Sequence, residues 1–266
     1  MAEAPDGFLF EGLVESHATG ATFKVARGGT TFICKRLAPR VREDKGARER
    51  LTSEGAVLHA LAGRGAPRLV ARGADERGPF IVMERIAMQP LSPQTPLASA
   101  RFESAVHSTF AALAAVHEAY DARGPLAIVH ADVSPDNVLV AEDCAAATLI
   151  DFGLSQWRDA KASAETTPRA FRGTALYAAP ELARGETIDA RADLFALAAT
   201  LLQSLCGIPP RRAEGAAALL VAAGETPIDD WARDASARID EGLAARLRRC
   251  VAFDKAQRPL RARELL

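Results

Sequence analysis

The chain has 266 residues, 48% apolar and 25% charged, a composition that fits an ordinary globular protein with a well-filled core. Its formal net charge of −1 argues against a nucleic-acid surface or a basic membrane-binding stripe. The four cysteines, at positions 34, 144, 206 and 250, stand far apart with no C-x-x-C pair, so neither zinc nor a disulfide framework is indicated.

Length allows one large domain or two lobes sharing a cleft. The opening MAEAPDGFLFEG has charges and no apolar core, so no signal peptide is visible. The apolar stretch 192–206 is interrupted by Asp193 and Gln203 and falls short of a membrane span. The segment reads as soluble and cytoplasmic, or as a cytoplasmic domain of a longer protein. Its closing Arg-Ala-Arg-Glu-Leu-Leu reads as a helix that runs on past the end.

In chain order, Thr22–Ala26 and Thr30–Leu37 are β-rich runs around Gly28-Gly29, a good hairpin signal. A charged stretch, 41–50, leads into a helix over Leu51–Ala62, where Leu51, Val57, Leu58 and Leu61 share one face. Two further strands are expected at Arg68–Arg72 and Pro79–Ile86. Pro90, Pro93 and Pro96 then forbid a regular helix and mark a connection. Beyond them the pattern is helical over roughly 99–120, 190–206, 213–223 and 241–252. Short β runs at Ala127–His130, Val138–Val140 and Thr148–Ile150 interrupt it.

Those short runs flank the residues that carry chemistry: His130-Ala-Asp-Val-Ser-Pro-Asp-Asn137 and, after a turn, Leu-Ile-Asp151-Phe-Gly153. Phosphoryl transfer needs one carboxylate to orient an attacking hydroxyl, and oxygen ligands that hold Mg²⁺ on the phosphates. Asp132 fits the first need, Asn137 and Asp151 the second. Lysine is scarce, occurring only at positions 24, 35, 45, 161 and 255, which singles out Lys35 inside the strand-like Thr-Phe-Ile-Cys-Lys-Arg-Leu. Each piece alone is unremarkable: Asp136-Asn137 after Pro135 is ordinary turn chemistry, and a lone Lys on an edge strand snorkels. Their joint occurrence in this order is not.

With these residues the chain resembles the Hanks-type protein kinases, of the bacterial serine/threonine kind. The H-x-D-x-x-x-x-N loop, the Asp-Phe-Gly triplet and the Lys in a V-A-I-K-like strand carry the resemblance. Gly173-Thr-Ala-Leu-Tyr-Ala-Ala-Pro-Glu181, Asp189-Ala-Arg-Ala-Asp193 and Gln-Arg258-Pro extend it over essentially the whole chain. The resemblance implies an α+β, two-lobed fold: a β-rich N-lobe with one main helix over 1–87 and a mostly helical C-lobe over 88–266. It also implies a kinase that moves the γ-phosphate of ATP to Ser/Thr hydroxyls of proteins, with Mg²⁺ or, in its place, Mn²⁺. By resemblance Glu54 pairs with Lys35, Asp132 serves the acceptor hydroxyl, and Asn137 and Asp151 hold the metal. The nucleotide would be bound by Gly20, Thr22, Ile33, Lys35, Met83, Glu84, Ile86 and Leu139, with Met83 as gatekeeper and Glu84–Ile86 as hinge. Leu58, His130 and Phe152 would form a packed spine. Asp193 would bond the catalytic-loop backbone, and Arg258 would pair with Glu181.

Four departures from the family pattern bear on function. The Gly-rich loop aligns with Glu15-Ser-His17-Ala-Thr-Gly20-Ala-Thr22 and keeps only its last glycine. Ile33 stands where an alanine is usual and crowds the adenine slot. Ala131 replaces the Arg before Asp132, which removes the partner of an activation-loop phosphate. Phosphorylation of Thr166, Thr167 or Thr174 is therefore not expected to be the main on-switch. Ser134 replaces a Lys that steadies the γ-phosphate, so slow turnover is expected. Two rival functions follow from these changes: a pseudokinase that binds partners, and a phosphotransferase for small hydroxylated substrates.

Overall fold

The computed structural model describes residues 4–16, 19–91, 99–159 and 174–266. Its N-terminal part is an antiparallel sheet of β1 (Leu9–Ser16), β2 (Gly20–Arg27), β3 (Thr30–Leu37), β4 (Leu69–Asp75) and β5 (Gly78–Glu84), in the order β1-β2-β3-β5-β4. The β2–β3 hairpin turns at Gly28 and Gly29, whose φ angles of 58° and 77° are the pair of left-handed conformations such a turn needs.

Strand alternation gives the sheet two chemically different faces. Phe23, Val25, Cys34 and Val82 are buried together on the outer face, with Phe8 packed on them. On the inner face, register sets Thr22, Lys35 and Ile81 in one row across β2, β3 and β5, and Lys24, Ile33 and Met83 in the next. Helix α1 (Lys45–Leu61) packs on β3, β4 and β5. It starts six residues before the apolar periodicity does, because the Asp44 carboxylate accepts the N–H of Ala47 and caps a first turn that carries Lys45, Arg48 and the buried Ala47. Gly55 sets its depth: a Cβ there would lie 3.0 Å from Ile81 Cγ2.

The remainder is a helical lobe. Strand β6 (Gln89–Pro90) leads to α2 (Ser99–His117), the β7 (Tyr120–Asp121) and β8 (Gly124–Pro125) ribbon, and strands β9 (Val138–Val140) and β10 (Ala147–Leu149). Helices α3 (Pro180–Ala183), α4 (Ala190–Cys206), α5 (Ala216–Glu225), α6 (Asp229–Ala235) and α7 (Glu241–Cys250) follow. Helix α4 is the centre of this lobe. It is buried on all sides from Ala192 to Ser204, starts at an Asp189 cap and stops at Gly207, whose φ is 72°.

Some expectations need correction. Residues 127–130 do not form a strand; only Val129 makes a bridge, to Gln156. The short helices α3 and α6 carry no long apolar period and were not legible, and the closing residues form a 3-10 turn, Ala262–Leu265, that buries Leu265. All four cysteines are free. Among the described residues no helix is long and apolar enough to cross a membrane.

Candidate active site

Three chain segments meet at Lys35. Strand β3 presents its Nζ from the inner face, α1 brings Glu54 Oε1 to 2.7 Å, and the turn after β10 brings Asp151 Oδ1 to 2.9 Å. Glu54 is almost fully buried at 4% side-chain exposure, whereas Asp151 is half exposed at 48%. Burial works against the Lys35 charge, but the two carboxylates more than offset it and hold its pKa above the ordinary lysine range. Burial pushes the Glu54 carboxyl up, with Lys35 opposing. Asp151 is also desolvated, yet Lys35 keeps its carboxyl below the usual range. Asp151 therefore stays anionic at the edge of the cleft.

The second group is the loop 130–137. Asp132 Oδ1 accepts the backbone N–H of Thr174 at 2.8 Å, and Asn137 Nδ2 donates to Asp132 O at 2.8 Å and to Asp132 Oδ2 at 3.3 Å. Burial raises the Asp132 pKa, with the Thr174 N–H opposing it. Backbone links tie this loop to the Lys35 group: Ile150 N–H donates to Asn137 O at 2.9 Å, and His130 Nε2 lies 2.9 Å from Ile150 O. The His130 and Phe152 rings are 4.7 Å apart, and Phe152 and Leu58 are buried in the same core cluster.

The loop is held in shape from below. Ala131 has φ 64°, a strained conformation for alanine, and Asp193 fixes it by accepting the N–H groups of His130 (2.7 Å) and Ala131 (2.9 Å). His117 at the end of α2 completes this carboxylate with Nε2 at 2.8 Å. Sequence reading missed His117, because a lone His in a helical pattern carries no signal. Glu181 and Arg258 form the expected pair, bidentate at 2.7 and 3.0 Å and fully buried.

The residues expected to bind a nucleotide divide. Thr22, Ile33, Lys35 and Met83 share the inner face of the sheet, and Ile33 is half-buried against the main core. Leu139 is buried on β9, but Val138 and Val140 alone join the main core, so its side chain faces the other way. Glu84 ends β5 with an exposed side chain and its N–H bonded to Arg68 O at 2.9 Å, and Ile86 follows half-buried. Gly20 has a structural reason to be glycine: a Cβ there would lie 2.7 Å from Arg36 O in the neighbouring strand. Its presence is thus no sign of a phosphate. His17, Thr166 and Thr167 lie outside the described residues; Thr174 is described and exposed.

Asn137 and Asp151 offer two hard oxygen donors on linked segments. Among the described residues no group of three or more His, Cys, Asp or Glu side chains is placed to hold a metal ion. That donor set fits Mg²⁺, which takes one or two protein oxygens and completes its shell with phosphate oxygens and water.

Comparison with known proteins gives the family. The protein kinase domain family matches residues 17–265. The DNA damage-responsive serine/threonine-protein kinase RqkA of Deinococcus radiodurans is 31% identical over 90% of this chain and 36% of its own length. Serine/threonine-protein kinase A of Synechocystis sp. is 31% identical over 74% of this chain and 40% of its own. The chain thus spans less than half the length of these curated relatives. The crystal structure of the Mycobacterium tuberculosis PknI kinase domain superposes with a TM-score of 0.68 over 100% of this chain and 97% of that one, at 24% identity.

Proposed function

The chain belongs to the protein kinase domain family, and from that premise we propose that it transfers the γ-phosphate of ATP to Ser or Thr hydroxyls of protein substrates in a Mg²⁺-dependent reaction. The observation that carries this reading is the double attachment of Lys35, to Glu54 at 2.7 Å and to Asp151 at 2.9 Å, on a segment bonded to the loop of Asp132 and Asn137. Lys35 places a fixed positive charge where the α- and β-phosphates lie, and Glu54 keeps it there. Asp132 orients the acceptor hydroxyl and takes its proton as the new O–P bond forms and the bond from the γ-phosphorus to the β–γ bridging oxygen breaks. Asn137 and Asp151 would hold Mg²⁺, which supplies neutralisation of the phosphate oxygens. Thr22, Ile33, Met83, Glu84, Ile86 and Leu139 would enclose the adenosine, with Gly20 in the strand above.

On this reading the N-lobe runs over residues 1–87 and the C-lobe over 88–266. Turnover is slow, because Ser134 supplies no charge to the γ-phosphate. The protein is of the type that lacks Arg before the catalytic Asp, and Ala131 leaves an activation-loop phosphate without its usual anchor. Use of ATP supports a cytoplasmic location, either of the whole protein or of this domain of a longer one.

Radiolabel transfer from γ-labelled ATP to the protein itself or to a generic protein substrate tests this reading, with Asp132→Asn as control. Label in the wild type that is absent from Asp132→Asn supports it. No label on any protein, with label on a small alcohol, overturns it in favour of a small-molecule phosphotransferase. Stabilisation by Mg²⁺-ATP without any transfer favours a pseudokinase.

A further inference from the structure

The segment after Asp151 is fastened to the helical lobe. Val129 and Gln156 exchange both backbone N–H···O bonds at 2.8 and 2.9 Å, and Arg158 N–H donates to Leu126 O at 2.9 Å. The Arg158 guanidinium bonds Asp121 Oδ2 and the carbonyls of Gly124 and Pro125. From this anchored segment the indole of Trp157 crosses to the other lobe, where Nε1–H donates to Ser53 Oγ at 3.3 Å, with both residues half-buried. Ser53 is the neighbour of Glu54 on α1. The same segment approaches α1 a second time at Gly153, where a Cβ would lie 3.7 Å from Glu54 Oε2.

These contacts close a ring: Ser53 to Glu54 along the helix, Glu54 to Lys35 and Lys35 to Asp151 by ion pairs, Asp151 to Trp157 along the chain, and Trp157 back to Ser53. A ring constrains more than its separate links. The Lys35 ion pairs by themselves set no rotation of α1, because an ammonium offers three rotatable donors on a flexible stem. Gly55 against Ile81 sets how closely α1 packs on the sheet; a second attachment one residue from Glu54, by a segment pinned to the opposite lobe, fixes the rotation of the helix about that contact.

We propose that Trp157 is a positioning residue: its indole N–H, bonded to Ser53, holds α1 in the rotation that brings Glu54 to Lys35. This inference goes beyond the phosphotransfer reading, since it concerns how the two lobes are joined whatever the site transfers.

The test uses Trp157→Phe, which keeps most of the ring and removes the donor, Ser53→Ala, which removes the acceptor, and the double variant. Hydrogen exchange of the α1 amides, at about 51–58, is read beside kcat and KM for Mg²⁺-ATP. Each single variant is expected to speed α1 exchange about fivefold, the order of one net hydrogen bond. The double variant should match the singles rather than multiply them. Catalytic efficiency with Mg²⁺-ATP should fall by a similar factor. Unchanged α1 exchange in Ser53→Ala, or effects that multiply in the double variant, would overturn the proposal and leave Trp157 as core packing alone. A wild type that transfers no phosphate defeats the functional reading, and the exchange arm still decides this one.

Discussion

The carboxylate of Asp193 accepts the N–H of Ala131 at 2.9 Å, and this bond, with its twin from His130, holds a left-handed alanine immediately before Asp132. The shape of the loop 130–137 is therefore imposed from helix α4 rather than chosen by the loop itself. Asp193→Asn replaces one acceptor oxygen by an amide facing backbone N–H groups at a site only 1% exposed. It should cost about 2–3 kcal/mol in urea denaturation. Ala131→Gly relieves the φ strain but frees the unfolded chain, so its change should stay within about 1 kcal/mol. A neutral Asp193→Asn would mean that the loop holds its own shape.

Asp132 sets activity against stability. Burial raises its folded pKa above the unfolded value, so the stability linked to this group is fully present below the unfolded pKa and is lost as pH rises through the folded one. At neutral pH its charge is a burden to the fold. Asp132→Asn, whose Oδ1 still accepts from Thr174, should abolish transfer and yet melt higher than wild type at pH 7. The advantage should vanish as pH falls below the ordinary aspartate range. In the wild type, the acidic limb of the kcat/KM profile should lie above that range, because proton acceptance needs the anion. Parallel melting curves across pH and a pH–rate profile check both statements.

Ile33 fills the inner face beside Met83 and Lys24, where a nucleotide base would need room. Ile33→Ala should tighten Mg²⁺-ATP binding by up to about tenfold, the relief of an overpacked slot. It should also destabilise the protein by roughly 1–3 kcal/mol, since the residue is half-buried against the core. Calorimetric titration and denaturation of the same variant separate the two effects. Weaker binding would show that Ile33 is a contact rather than an obstruction.

Two guanidinium groups flank the ring of Phe195, Arg258 at 4.8 Å and Arg211 at 5.4 Å, and they are not equivalent. Arg258 is matched bidentately by Glu181. Arg211 donates to Leu176 O at 2.8 Å, but among the described residues its buried Nε and Nη2 have no partner, and desolvation lowers its pKa to about 10. Glu181→Ala should cost about 3–5 kcal/mol by stranding Arg258. Arg211→Met should be neutral or stabilising by about 1–3 kcal/mol, because it removes an uncompensated buried charge. Thermal melts rank the two, and a destabilised Arg211→Met would point to an unseen partner for its free edge.

Much of this protein was legible in its residues. The β2–β3 hairpin followed from Gly28-Gly29 between β-rich runs, α4 from the helical pattern over 190–206, and the candidate chemical residues were picked out as Asp132, Asn137 and Asp151 at fixed spacing beside a rare Lys. These features are local: a turn needs two residues of left-handed conformation, a helix needs its caps, and a catalytic loop needs its donors within a few positions of one another.

Tertiary structure decided what depends on distant pairs. That α1 begins at Lys45 is local capping that overrode apolar periodicity, but its depth is set by Gly55 against Ile81, and neither residue announces the other. The glycine at position 20 answers to the Arg36 carbonyl in the next strand. His117 joins Asp193 across 76 positions, and Trp157 reaches Ser53 across 104, spacings with no period to read. Side-chain contacts of that range form only when packing brings two surfaces together, so the sequence by itself determined which groups are the candidates for chemistry, and the folded packing determined what holds them in place.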